Sequence, residues 1–173
     1  MAQDEKVNNF FTEEIMPRSN GIADRKQEDS ISPLKILFLT DNSSYQNVLQ
    51  SSEDFFSTEA NCLFLKMIQA MGLSQNDYSV ALINSSKDWK SLLVNSCPQI
   101  VALLGASTTL AILEGEKLSK VRGQIIPKTF YVQDKTHQTK VVSLFHPDFL
   151  LINPAMKRTA WIDLQLIMKL ILN

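Results

Sequence analysis

Ile100-Val101-Ala102-Leu103-Leu104-Gly105-Ala106 is the stretch on which the architecture turns. Its five apolar residues in succession, with no polar alternation, read as a strand buried on both faces, and the run ends on a glycine before a helical segment from Ala106 to about Leu113. A strand that must be covered on both sides belongs to a parallel sheet with helices above and below it. Upstream, Lys35-Ile36-Leu37-Phe38-Leu39-Thr40 after Pro33 and Val80-Ala81-Leu82-Ile83 read as further buried strands. Between them Ala60, Leu63, Phe64, Met67, Ile68 and Met71 recur at i, i+3, i+4, i+7, i+8 and i+11, one face of a helix that stops at Gly72.

Downstream, Thr129-Phe130-Tyr131-Val132 and Lys140-Val141-Val142-Ser143-Leu144-Phe145 read as two strands joined by a loop across the polar Asp134-to-Thr139 stretch. A closing helix runs from about Lys157 to Leu172, with Arg158, Gln165 and Lys169 on its wet stripe. Strands alternating with helices define the expected class: α/β, a three-layer α/β/α fold around a mainly parallel sheet.

Bulk properties bound the rest. A chain of 173 residues with 45% apolar and 20% charged residues is sized and composed for one globular domain. Residues 1–31 are polar, without helical or strand period, and hold seven acids against four bases, leaving a balance of +2 for the remainder. They read as a flexible N-terminal arm ahead of a domain over 32–173, with Phe10-Phe11 and Ile15-Met16 either as one amphipathic turn for a partner or as an apolar patch without a role. The start, Met1-Ala2-Gln3-Asp4-Glu5-Lys6, lacks a secretory pattern, and the apolar run from Trp161 to Leu172 is broken by Asp163, Gln165 and Lys169. A cytoplasmic protein without a membrane span is expected. Two cysteines, Cys62 and Cys97, lack ligand spacing, so they are expected to be buried reduced thiols, with no metal and no cofactor.

In open α/β sheets ligands bind beyond the carboxyl ends of the strands. The segments there are Asp41 to Ser44, Asn84 to Lys87, Gly105 to Ser107 and His146 to Asp148. Singly, each has a structural explanation: caps at Asp41, Asn42 and Asn84, a tight turn at Gly105, a buried polar contact at His146. Together, an acid, a carboxamide and an imidazole on one sheet edge are what recognising and polarising a small polar ligand requires.

The motifs are more specific. Lys120-Val121-Arg122-Gly123, Phe145-His146-Pro147-Asp148-Phe149-Leu150-Leu151-Ile152-Asn153-Pro154, Lys157 and Trp161-Ile162-Asp163-Leu164 resemble the KVRG, FHPxxLLxNP and tryptophan-plus-aspartate helix of the family 4 uracil-DNA glycosylases. Leu103-Leu104-Gly105-Ala106 and Leu82-Ile83-Asn84-Ser85-Ser86-Lys87 are similar to two of that family's strand ends. The resemblance spans about residues 35 to 172 and is strongest after Pro98. It implies a site for uracil flipped out of DNA. Phe56 would stack on the base, Asn84 would bond its Watson–Crick edge, and His146 would donate to O2 as negative charge develops there. Asp41 falls where the family carries a glutamate and would position water or stabilise the cationic sugar. Lys87 and Arg122 would contact phosphates. The implied activity is hydrolysis of the N-glycosidic bond in DNA repair.

The first half departs from that pattern. Thr40-Asp41-Asn42-Ser43-Ser44-Tyr45-Gln46 stands where the family has a glycine- and proline-rich acidic loop, and neither cysteine matches the family's cluster ligands. A second resemblance is to the psi subunits of bacterial DNA polymerase III, which share the fold without glycosylase chemistry. Asn153-Pro154, Lys157 and Trp161 are comparable with psi-type sequences, which implies a non-catalytic clamp-loader accessory subunit engaging a chi-like partner through residues 1–31.

Overall fold

The computed structural model describes residues 33–41, 55–84 and 89–172. Strands β1 (Ile36–Thr40), β2 (Tyr78–Leu82), β3 (Ile100–Leu104), β4 (Ile126–Val132) and β5 (Lys135–Leu144) form one sheet in the order β2-β1-β3-β5-β4. β1 pairs parallel with β2 and β3, and β3 pairs parallel with β5. Only the hairpin partner β4 runs antiparallel. The helices are α1 (Thr58–Ala70), α2 (Trp89–Ser96), α3 (Ala106–Ile112), α4 (Leu118–Val121), α5 (Pro147–Ile152) and α6 (Lys157–Leu172), with a 3-10 turn at Pro154–Met156.

Successive strand side chains point to opposite faces, so each central strand feeds two cores. Ile36, Phe38, Ala102, Val142 and Leu144 pack with Phe64 and Met67 of α1, Leu150 of α5 and Leu164 and Ile167 of α6. Leu37, Leu39, Val101, Leu103 and Val141 pack with Leu93 of α2, Ile112 of α3 and Val121 of α4. The chain is thus the expected three-layer α/β/α fold. Every residue of β1 and β3 is buried, which is why those runs carry no polar alternation. Phe38, 0% exposed, meets Phe64 and Tyr78 edge-on at 5.1 and 6.1 Å. Truncating such a side chain to alanine costs about 3–5 kcal/mol.

Helix ends follow local chemistry. Ser57 caps α1, its hydroxyl accepting from Ala60 N. Gly72, at φ +70, ends it in a Schellman pattern, with Gly72 N–H bonded to Gln69 O and Leu73 N–H to Ile68 O.

Three expectations need correction, and one helix was missed. The strand expected over Val80 to Ile83 is Tyr78–Leu82, and it lies at the sheet edge with four of its five residues half-buried. Helix α2 was not legible between Lys87 and Pro98, because it is short and only Leu93, Val94 and Ser96 are buried. The polar stretch expected as a loop is strand: β4 and β5 are joined by Gln133 and Asp134 alone, and Val132 pairs with Lys135. Its polarity has a use, since Thr139 Oγ1 donates to Pro98 O at 2.9 Å and His137 Nε2 lies 2.9 Å from the same carbonyl, ahead of the point where β3 begins. Finally, Cys62 is half-buried and Cys97 exposed; Cys97 sits past the end of α2 at φ +43, outside both cores.

Candidate functional site

His146 leaves β5 at the carboxyl edge of the sheet and becomes the N-cap of α5. Proline at the next position restricts it to an extended backbone, and its φ and ψ are −67° and 140°. His146 is buried, 8% exposed. Its Nδ1 accepts from Asp148 N at 3.2 Å, and its Nε2 lies 3.1 Å from Thr40 Oγ1 at the end of β1. The Asp148 Oδ2 also lies 3.2 Å from Nδ1; a neutral ring that accepts the Asp148 N–H at Nδ1 would carry its proton on Nε2, facing Thr40. The Thr40 hydroxyl in turn donates to Asp41 O at 3.3 Å.

Gly105 brings β3 against the same ring. It stands at φ +94, and a β-carbon added there would lie 3.3 Å from the His146 β-carbon. The motif after β3 and the motif after β5 are therefore one contact. Phe56, 6% exposed, packs its ring on Phe64 at 4.9 Å and edge-on to His146 at 5.4 Å between centroids. Beside it, Ser57 Oγ donates to Asp148 Oδ1 at 2.6 Å. Burial pushes the Asp148 carboxyl up, but His146 and Ser57 outweigh that and hold it below the usual carboxylate range.

Thr40, Asp41, Phe56, Gly105 and His146 are thus gathered at one edge. Asp41 is half-buried directly after β1. Asn84, two residues past β2, is exposed, and the preceding Ile83 N–H bonds to Thr40 O at 2.9 Å, which ties the end of β2 to that of β1. Lys87, with Asn42, Ser43, Ser44 and Tyr45, lies outside the described residues, as do residues 1–31.

Arg122 is held elsewhere. One of its terminal nitrogens donates to both carboxylate oxygens of Asp163 on α6, at 2.9 and 2.8 Å, and its guanidinium lies 5.1 Å from the Phe145 ring centre. Asp163 is 2% exposed, and its burial pushes the carboxyl up by more than Arg122 pulls it down. The KVRG segment and the tryptophan-plus-aspartate helix are therefore joined by an ion pair. Among the described residues no group of three or more His, Cys, Asp or Glu could hold a metal ion, and no helix is long and apolar enough to cross a membrane.

Sequence reasoning named no role for Thr40, Ser57, Asp148 or Asp163. Asp148 and Asp163 sat inside quoted motifs, and Ser57 had the signal of a helix cap next to Phe56, but their partners are 91 and 41 positions away in the chain for Ser57–Asp148 and Arg122–Asp163. Compared with known proteins, the chain matches no family model and no curated protein.

Proposed function

We propose that the chain is a diverged uracil-DNA glycosylase-like protein that receives a uracil turned out of DNA at the carboxyl edge of its sheet. The observation that carries this reading is the placement of His146: its Nδ1 meets the Asp148 N–H, its Nε2 faces Thr40 and its ring lies edge-on to Phe56, so that a ring protonated on Nε2 would donate at the sheet edge. Cleavage of the glycosidic bond leaves negative charge on the base, and a donor to its O2 stabilises the transition state more than the ground state. In this reading the Nε2 proton exchanges the Thr40 hydroxyl for uracil O2. Asp41 positions water or faces the cationic sugar, Phe56 lines the base, and Asn84 bonds its edge. Lys87, and the nitrogens of Arg122 not given to Asp163, take the phosphates. The test is single-turnover uracil release from single-stranded DNA. His146→Ala should slow it by roughly a hundredfold or more with DNA affinity nearly intact, and a wild-type chain that releases no uracil ends the reading.

A second reading, a non-catalytic DNA polymerase III accessory subunit of psi type, is favoured by one observation. Phe56, His146 and Arg122 all make close contacts inside the fold. It expects deletion of residues 1–31 to abolish binding to a chi-like partner while the fold survives, and His146→Ala to leave that binding unchanged.

A further inference from the structure

Asp148 has no part in the reaction above, yet it touches His146 and the Ser57 that adjoins Phe56, the two groups that flank the base in that reading being His146 and Phe56. It is 5% exposed. An aspartate in the first turn of a helix ordinarily turns its carboxylate to the nearby backbone N–H groups. This one reaches instead across the fold to the hydroxyl of Ser57, at 2.6 Å. Ser57 is fixed in turn as the cap of α1, accepting from Ala60 N at 3.3 Å, and Phe56 is its immediate neighbour. The Asp148 backbone N–H meanwhile holds His146 Nδ1 at 3.2 Å. Following the contacts from Asp148 to Ser57, Phe56, His146 and back to Asp148 closes a ring.

We propose that Asp148 is the positioning residue of this site, its carboxylate setting the Phe56 ring against His146 through Ser57 while its backbone N–H sets the His146 tautomer. The inference rests on the glycosylase-like reading for its functional meaning, but not for its geometry. The ring has one slack member. Asp148 Oδ2 is buried and lies 3.2 Å from His146 Nδ1, but among the described residues it has no hydrogen-bond partner of good geometry. The short hydrogen bond to the carboxylate among the described residues is therefore the one that Ser57 gives to Oδ1. Losing either partner releases the other. Hydrogen bonds to a charged acceptor are the stronger kind, so this link fixes geometry better than a neutral pair would.

The test uses the full chain and two readouts. The first is the nuclear Overhauser contact between the Phe56 and His146 rings, with the His146 tautomer read from its ring nitrogen shifts; the chain has two histidines, so His137→Gln assigns them. Asp148→Ala and Ser57→Ala should each lose the ring contact while keeping the Nε2–H tautomer, and the double variant should be no worse than either single one. Asp148→Asn, whose amide oxygen still accepts from Ser57, should retain the contact. If Asp148→Ala does not fold, Ser57→Ala and Asp148→Asn carry the same comparison. A ring contact that persists in folded Asp148→Ala or in Ser57→Ala overturns the proposal, and so does an Asp148→Asn variant that loses it.

The second readout is uracil release. Asp148→Ala should lower the single-turnover rate about tenfold to a hundredfold without changing affinity for single-stranded DNA, as expected when reacting groups shift by about an ångström, and Asp148→Asn should restore most of it. An active wild type whose Asp148→Ala variant is equally active sinks the positioning role alone. An inactive wild type whose Asp148→Ala variant still loses the ring contact sinks the glycosylase reading and leaves the positioning role standing.

Discussion

Replacing Arg122 with methionine keeps an apolar stem beside Phe145 and removes the charge that faces Asp163. The Asp163 side chain is 3% exposed and that of Arg122 28%, so the partner left behind is the buried one. Deleting one member of a buried pair costs about 3–5 kcal/mol, and the partial exposure of Arg122 puts this case at about 3 kcal/mol. At roughly 2–4 °C per kcal/mol for a domain of this size, Tm should fall by about 6–12 °C near neutral pH. The pH dependence carries the sharper test. Burial already raises the Asp163 carboxyl above its ordinary value, so its ionisation opposes folding as pH rises from the unfolded pKa through the folded one. Without Arg122 that opposition grows, and it disappears once the carboxyl is protonated. The deficit should therefore be largest at neutral pH and shrink toward about pH 4. Arg122→Met combined with Asp163→Leu should recover most of the loss, since no buried charge remains unpaired. Thermal melts at several pH values decide it. A fall below about 1 °C, or one as large in acid as at neutrality, refutes the argument.

Gly105→Ala strains a backbone at φ +94 and places a β-carbon 3.3 Å from that of His146, so it should cost about 1–3 kcal/mol in urea unfolding and shift the His146 ring resonances. Hydrogen bonds from Lys35 and Ser74 lower the Asp77 carboxyl to about 2. Its stabilising effect is present above the unfolded pKa of 3.8 and is lost as pH falls toward the folded value, so Asp77→Asn should flatten the acid limb of the stability curve between those two points. An acid limb unchanged in slope counts against that assignment. Phe38→Ala should lower stability by about 3–5 kcal/mol, measured by chemical denaturation at constant m-value.

The parts of this fold that the sequence makes legible are those where one local pattern decides the outcome. Ile100–Leu104 is apolar throughout because both its faces are covered, and Lys157–Leu172 was readable end to end because helical period persists over 16 residues. Residues 135–139 misled because strand polarity there reflects partners on another segment, the carbonyls of Pro98 and Gln99, which no window along the chain contains. The candidate site divides in the same way. Its chemistry-bearing residues could be placed at one sheet edge from strand ends alone, and Asp41, Gly105 and His146 follow that rule. The Arg122–Asp163 pair and the Ser57–Asp148 link could not, since each is a meeting of segments far apart in sequence.

The hairpin that ends the sheet also sets where the molecule stops growing. Among the described residues β4 is the outermost strand on its side, and a bare strand edge is a template for another chain. Here it carries Pro127, paired opposite Lys140, and a proline is tolerated in a strand where its nitrogen, lacking a donor, faces away from the ladder. The outward row of hydrogen-bonding groups is thereby interrupted. A sixth strand, whether from a second copy or from a fibril, would find a discontinuous ladder, so self-association along this border is disfavoured.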